Sequence, residues 1–247
     1  MLRSLVFAGA MYFVTAFMLV SFSFLLFCPR SWAMAALKLH ARISLWLLKV
    51  ITQTKMEVRG LENLPKGPVL VVAKHQSAWD TFGLIPLFKD PAIILKDELK
   101  WIPFYGWFCL KFEHILVKRQ KASLALKGMI KDAKKRVSQG RQILIFPEGT
   151  RRTPGAPPTY KSGYLALYEE LGVPCIPLAL NSGLFWPRRQ IKRFPGTIIV
   201  EFLPPLPPRL PRQIVKEQIE TAIENASTRL LEEALLQPQP PPRPKAE

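Results

Sequence analysis

Residues 5–28 form one uncharged run, LVFAGAMYFVTAFMLVSFSFLLFC, with Arg3 before it and Pro29-Arg30 after it. As a helix it extends roughly 36 Å, enough to cross a hydrocarbon core. The competing reading is a secretory signal, because Ala33-Met34-Ala35 has the small-x-small form of a cleavage site. The apolar stretch of such signals is about 7–15 residues, shorter than this run. The sequence therefore predicts an anchor and leaves open whether it spans a membrane or dips in and returns.

A second helix is expected from Ser31 to about Thr52. On a helical wheel Lys38, Arg42 and Lys49 make a narrow basic stripe, and Trp32, Leu39, Ile43, Trp46, Leu47 and Val50 fill the broad opposite side. Tryptophan on an apolar face beside a basic stripe suits a headgroup interface. Six basic residues and no acidic one precede Glu57 (Arg3, Arg30, Lys38, Arg42, Lys49 and Lys55). That bias predicts anionic membrane lipids as partners and a cytoplasmic (inner) membrane location, with the rest of the chain on the cytoplasmic side.

Of the 247 residues, 35 are basic and 18 acidic, a formal +17. Such a surplus calls for an anionic partner, and nucleic acid, anionic lipid and a phosphorylated substrate all qualify. Residues 111–141 carry ten basic and two acidic side chains but no interleaved aromatic beyond Phe112. Without a stacking platform or a binding motif there, no nucleic-acid partner is expected. Cys28, Cys109 and Cys175 are far apart, which excludes a disulfide framework and metal-ligand spacing, so no metal is expected. A thiol–imidazole pair of Cys109 and His114 is the one catalytic use open to them.

From Met56 onward the pattern changes. β-like runs at 56–60, 68–73, 92–95, 115–117, 142–146, 175–180 and 197–202 alternate with helix candidates at about 77–87, 100–110, 122–138 and 161–171. This alternation predicts an α/β fold with a largely parallel sheet flanked by helices. The chain then divides into anchoring helices at 1–54, an α/β domain at 55–205, and a carboxyl-terminal part at 206–247. That last part holds a proline-stiffened connector, a polar amphipathic helix from Gln213 to about Leu236, and a tail.

Reactive groups of an open α/β sheet gather beyond the carboxyl ends of its strands, and three polar clusters lie there. The first is Lys74-His75-Gln76-Ser77-Ala78-Trp79-Asp80. His75 and Asp80 lie 140° apart on a helical wheel and cannot meet in one regular helix. They meet if His75 sits in the turn, Ser77 is the N-cap and Asp80 falls at N3, pointing back. The same arrangement describes a capping box and a His–Asp dyad with His75 as base. The second cluster is Lys118-Arg119-Gln120-Lys121, and the third is Pro147-Glu148-Gly149-Thr150-Arg151-Arg152. A tight turn presenting backbone amide, hydroxyl and guanidinium suits a phosphate monoester. The G-x-S-x-G elbow, the Walker A motif and G-x-G-x-x-G are all missing. A base without an enzyme nucleophile leaves the substrate to supply one.

His75-x4-Asp80 followed by Phe146-Pro147-Glu148-Gly149-Thr150-Arg151 resembles the glycerolipid acyltransferase family over residues 56–205. Lys96-Asp97-Glu98-Leu99, Ile102–Trp107, Arg119, Val173–Pro177 and the bacterial-type stretch Asn181–Arg188 share in the likeness. The resemblance implies acyl transfer from a thioester to the sn-2 hydroxyl of lysophosphatidic acid, giving phosphatidic acid, with another lysolipid as the alternative acceptor. It implies His75 and Asp80 as catalytic residues and Arg119, Glu148, Gly149, Thr150 and Arg151 as the phosphate site. Acyl-CoA or acyl carrier protein is then a co-substrate, and no separate cofactor is expected. Within that site Glu148 is expected to fix an arginine or accept from a glycerol hydroxyl, and Lys118 is a weaker phosphate candidate. Apolar residues from Trp101 to Leu110 are candidates for an acyl groove. Lys74 departs from the family's common asparagine, Lys118 from aspartate and Arg152 from serine.

Overall fold

The computed structural model describes residues 1–118, 122–237 and 240–244. Seven strands form a single sheet: β1 (Thr54–Arg59), β2 (Leu70–Ala73), β3 (Pro91–Lys96), β4 (Ile115–Val117), β5 (Gln142–Ile145), β6 (Cys175–Leu180) and β7 (Gly196–Phe202). Their order is β1-β7-β6-β2-β5-β3-β4. Every pairing is parallel except β6 with β7. The largely parallel α/β sheet expected from the alternating runs is therefore present. Central strands are covered on both faces, which is why β2, β5 and β6 read as continuous apolar runs rather than alternating ones.

Alternate residues of β2 divide the core in two. Val71 and Ala73, with Val69 just before the strand, face a layer that includes Phe7 of α1 (Leu2–Ser21) and Ala41 and Leu48 of α2 (Arg30–Thr52). Leu70 and Val72 face α5 (Ala122–Ser138), α6 (Gly163–Leu171) and α8 (Arg212–Leu235). The carboxyl-terminal helix buries Val215, Ile219, Ile223, Ala226 and Leu230 there. Burying each of these larger side chains stabilises by about 1.5–3 kcal/mol.

Three shorter α-helices are α3 (Asp80–Gly83), α4 (Tyr105–Lys111) and α7 (Ser182–Phe185). The helix expected over 77–87 is a single turn followed by a 3₁₀ turn at Ile85–Leu87, because Pro86 cannot donate within a continuing helix. Likewise 100–110 divides into a 3₁₀ turn at Asp97–Trp101 and α4, with Pro103 between. The other long helices fall where periodicity puts them.

α1 lies along the domain. Near its start Ser4 Oγ accepts the Arg193 N–H at 2.9 Å, and Phe7 meets Trp186 edge-on at 5.3 Å. Near its end Leu19 and the following Phe22 pack with Phe108 and Phe112 of the domain. α2 turns Ala33, Ala41, Ser44 and Leu48 inward and leaves Trp32, Leu39, Trp46 and Val50 exposed. Tyr12, Phe13, Phe17 and Val20 of α1 are exposed as well, so both helices turn large apolar side chains to the outside. Lys38 leaves the expected basic stripe, its ammonium donating to the Lys89 carbonyl at 2.7 Å.

Candidate active site

In the sheet β2 is flanked by β5 and β6, both parallel to it. The loops leaving their three carboxyl ends are thereby neighbours: residues 74–80, 146–152 and 181–183. His75 Nδ1–H donates to Asp80 Oδ2 at 2.9 Å, and the same oxygen accepts the Gln76 and Ser77 N–H groups at 2.8 and 2.9 Å. The other oxygen accepts the Ser182 hydroxyl. Asp80 is fully buried, and four donors converge on it. An ionised carboxylate accepts only, so Nδ1 carries the proton and Nε2 is the basic nitrogen. The imidazole stacks on Phe146 with centroids 4.2 Å apart.

Asp80 does point back from the helix to the turn, as the capping geometry predicts. The assigned helix begins at Asp80 itself, and Ser77 Oγ accepts the Trp79 N–H rather than capping N3. The Ser77 hydroxyl donates to the Trp186 carbonyl, and Gln76 Oε1 accepts the Gly183 N–H. A Cβ at Gly183 would lie 2.9 Å from Gln76 Cβ, so glycine is what lets the β6 loop close on the His75 loop.

The 146–152 loop holds His75 from the other side. Arg152 N–H donates to the His75 carbonyl at 2.8 Å, and Glu148 Oε2 accepts the His75 N–H at 3.2 Å. Gly149 turns with φ of 64°, closing a bond from its N–H to the Phe146 carbonyl at 3.0 Å. Gly149, Thr150 and Arg151 stand at the partly exposed rim, and the Arg151 carbonyl accepts from Arg188. Lys118 is exposed at the end of β4, and Arg119 lies outside the described residues.

An apolar cavity of about 220 Å³ lies between the helix pair and the domain. Phe82, two residues beyond Asp80, lines it, with Phe22, Ala36 and Leu37 from the helix pair and Tyr105, Phe108 and Cys109 from α4. Of the groove expected over 101–110, α4's inner face takes part, whereas Trp101, Ile102, Trp107 and Leu110 are exposed.

Residues 55–181 match the family profile described as Acyltransferase, half of the chain and both of its motifs. The chain belongs to the acyltransferase family. It is 40% identical over 159 residues to the 1-acyl-sn-glycerol-3-phosphate acyltransferase of Pseudomonas aeruginosa, covering 64% of this chain and 62% of that one. It is 30% identical over 169 residues to the human 1-acyl-sn-glycerol-3-phosphate acyltransferase alpha, covering 67% and 60%. The matches thus span about three fifths of these relatives' length. The crystal structure of the 1-acyl-sn-glycerophosphate acyltransferase from Thermotoga maritima shares the fold, with a TM-score of 0.78 and 23% identity over 93% of this chain and 96% of that one.

Within this candidate site one residue departs from part of its expected role. Among the described residues Glu148 makes no bond to an arginine, although it was expected to fix one. It is buried, one oxygen on the Lys74 ammonium at 3.0 Å and the other on the His75 N–H. Burial raises its carboxyl above the ordinary range, opposed by the charge and hydrogen bond of Lys74 and by the His75 N–H. Two residues enter that motif reading had left without a role. Ser182 orients Asp80, and the Lys161 ammonium lies 3.2 Å from where a Gly149 Cβ would stand, over the phosphate-type turn. The Cys109–His114 alternative fails. Burial pushes the thiol up to about 11 and the imidazole down to about 3, the reverse of an activated pair.

Proposed function

We propose that this chain moves a fatty acyl group from a thioester to the sn-2 hydroxyl of 1-acyl-sn-glycerol 3-phosphate, lysophosphatidic acid, forming phosphatidic acid for phospholipid synthesis. The observation that carries this reading is the His75–Asp80 pair, whose imidazole makes no hydrogen bond to a side-chain hydroxyl or thiol among the described residues, with Phe82 of the same segment lining the apolar cavity. The relatives' names support the same substrate.

The acceptor hydroxyl attacks the thioester carbonyl carbon, forming a C–O bond while His75 Nε2 takes the hydroxyl proton. Asp80 stabilises the resulting imidazolium. The tetrahedral intermediate collapses, the C–S bond breaks, and the imidazolium returns its proton to the departing thiolate. Gly149, Thr150 and Arg151 hold the acceptor phosphate, joined by Lys161 and by Arg119. The cavity takes an acyl chain. The thioester is the only activated partner the steps require, carried by coenzyme A or acyl carrier protein.

The helix pair works at an anionic membrane, on its cytoplasmic side. Because both ends of α1 touch the same domain, the helix lies in the interface with its exposed aromatic face in lipid rather than crossing. Lipid substrate then reaches the site by lateral diffusion.

Labelled acyl transfer to a panel of lysolipids tests the reading. Lysophosphatidic acid is expected to be the preferred acceptor, and His75→Ala to lower turnover about 10²–10⁴-fold. Preference for lysophosphatidylglycerol or a lyso-aminolipid overturns the acceptor assignment, and near-normal activity of the variant overturns the mechanism.

A further inference from the structure

The carboxyl-terminal helix reaches the site through a buried ionic chain. Glu224 of α8 accepts on one oxygen from Lys74 Nζ at 2.7 Å and from the Tyr160 hydroxyl at 2.6 Å. The same ammonium donates to Glu148 Oε1 at 3.0 Å, and the second Glu148 oxygen receives the His75 N–H. The Lys74 side chain is 3% exposed, that of Glu148 0% and that of Glu224 26%. The Tyr160 ring lies against the ammonium, its centroid 5.7 Å away.

A buried ammonium has three donors and needs an acceptor for each direction it is to hold. Here the loop that grips His75 supplies one carboxylate, and α8, beyond the family-matched segment, supplies the other. One cation between two carboxylates is satisfied only when both are present. Removing the Glu224 charge leaves the Lys74 ammonium with one carboxylate, Glu148, as its charge partner in a space with little water. Lys74 then loses its fixed direction, and Glu148 loses the rigid partner that aims its second oxygen at the His75 backbone.

We infer that Glu224, held by Tyr160 and acting through Lys74 and Glu148, is a positioning residue for His75, so that α8 is part of the catalytic centre rather than an appendage to it. The inference rests on His75 being the reactive base, as proposed above. Misplacement of a base slows the chemical step without weakening substrate binding, so its mark is on kcat rather than KM.

The test is a double-mutant cycle on the full chain with lysophosphatidic acid and an acyl thioester. Glu224→Gln is isosteric and keeps the apolar face of α8. It is expected to lower kcat about tenfold while both KM values stay within about twofold. Tyr160→Phe is expected to act in the same direction, by about threefold. Lys74→Asn replaces the lysine with a side chain too short to reach α8. In that background Glu224→Gln is expected to change kcat by less than about twofold, because the link it acts through is gone. Unchanged kcat in Glu224→Gln, or the same loss in both backgrounds, overturns the inference.

Amide hydrogen exchange of the segment holding His75 gives a readout that needs no substrate. Glu224→Gln is expected to speed exchange there in the wild-type background and not in Lys74→Asn. Unchanged exchange, or acceleration spread equally over α5 and α6, also overturns it. A wild-type chain that transfers no acyl group defeats the proposed function, while the exchange cycle still decides this inference.

Discussion

The hydroxyl of Ser182 donates to Asp80 Oδ1 from 102 residues further along the chain, while the opposite oxygen of that carboxylate receives His75 Nδ1–H. Two backbone amides complete the set. Asp80 is thus aimed from its own loop and from the end of β6. A hydrogen bond to a charged acceptor contributes about 1.5–3 kcal/mol, of which each 1.4 kcal/mol is tenfold in rate. Ser182→Ala should therefore lower kcat at least about tenfold with KM little changed. Full turnover in that variant would show that the two amides alone orient the carboxylate.

The His75–Asp80 contact was legible because it is local. Five residues and one turn decide it, and capping geometry describes that turn. The parallel sheet was legible because buried strands read as apolar runs. Ser182 and Glu224 were not legible, because what brings them to the site is strand order, and order is set by packing between distant segments. The lysine partner of Glu148, in place of an arginine, was not legible for a related reason. A motif shows that a carboxylate is near the turn but not which way it points, and that direction is decided by Lys74, whose partner lies on α8. The anchor's outer face was legible from tryptophan placement, whereas Lys38 joined the domain because Lys89 offers a carbonyl within reach.

Arg151 follows Gly149 in the turn, one residue beyond Thr150, and Lys161, further along the chain, brings its ammonium against the same glycine. If they hold a phosphate, Arg151→Ala should raise KM for lysophosphatidic acid about tenfold, the scale of one charge-assisted bond, and leave the thioester KM within about twofold. Lys161→Met should do the same more weakly. Steady-state kinetics with each substrate varied in turn measures this. Equal effects on both substrates would remove the two residues from the phosphate site.

Arg30 at the start of α2 grips Asp90 with two bonds of 2.7 Å, and Arg141 lies beside the same carboxylate at 3.4 Å. Burial pushes the Asp90 carboxyl up, but the Arg30 hydrogen bond and the charges of Arg141, Arg30 and Lys38 outweigh it, leaving the group below its ordinary value. A depressed carboxyl contributes stability that is fully present above the unfolded value of about 3.9 and is lost as pH falls through the folded one. Asp90→Asn should therefore melt at lower temperature than wild type at neutral pH, and the gap should close below about pH 4. A gap that persists undiminished at pH 3 would assign the cost to packing rather than to charge.

Phe13, Phe17, Trp32 and Trp46 are each about 60–70% exposed and belong to none of the buried clusters. Deleting residues 1–54 would strip Phe7, Ala41 and Leu48 from the core and so test folding rather than lipid binding. Changing the four exposed aromatics to serine leaves the core intact. If they sit in lipid, partition onto anionic vesicles should fall at least about a hundredfold, given about 1.5–3 kcal/mol for each fully buried apolar side chain. Co-sedimentation at high salt measures it, and undiminished pelleting would place the membrane contact elsewhere.

Ala36 faces the apolar cavity from α2 and is itself only partly buried, so a larger side chain there enters the cavity without overpacking the core. Ala33 lines the same cavity but is fully buried, and enlarging it would cost about 1–3 kcal/mol in strain. Ala36→Phe should therefore lower kcat/KM for long acyl donors while sparing short ones, read from a series of thioesters of increasing chain length. The asymmetry matters more than the size of the loss. A chain that ends short of the new ring does not meet it, whereas a longer one must bend or withdraw its reactive carbonyl from His75. A uniform loss across the series would mean that the acyl chain takes another path.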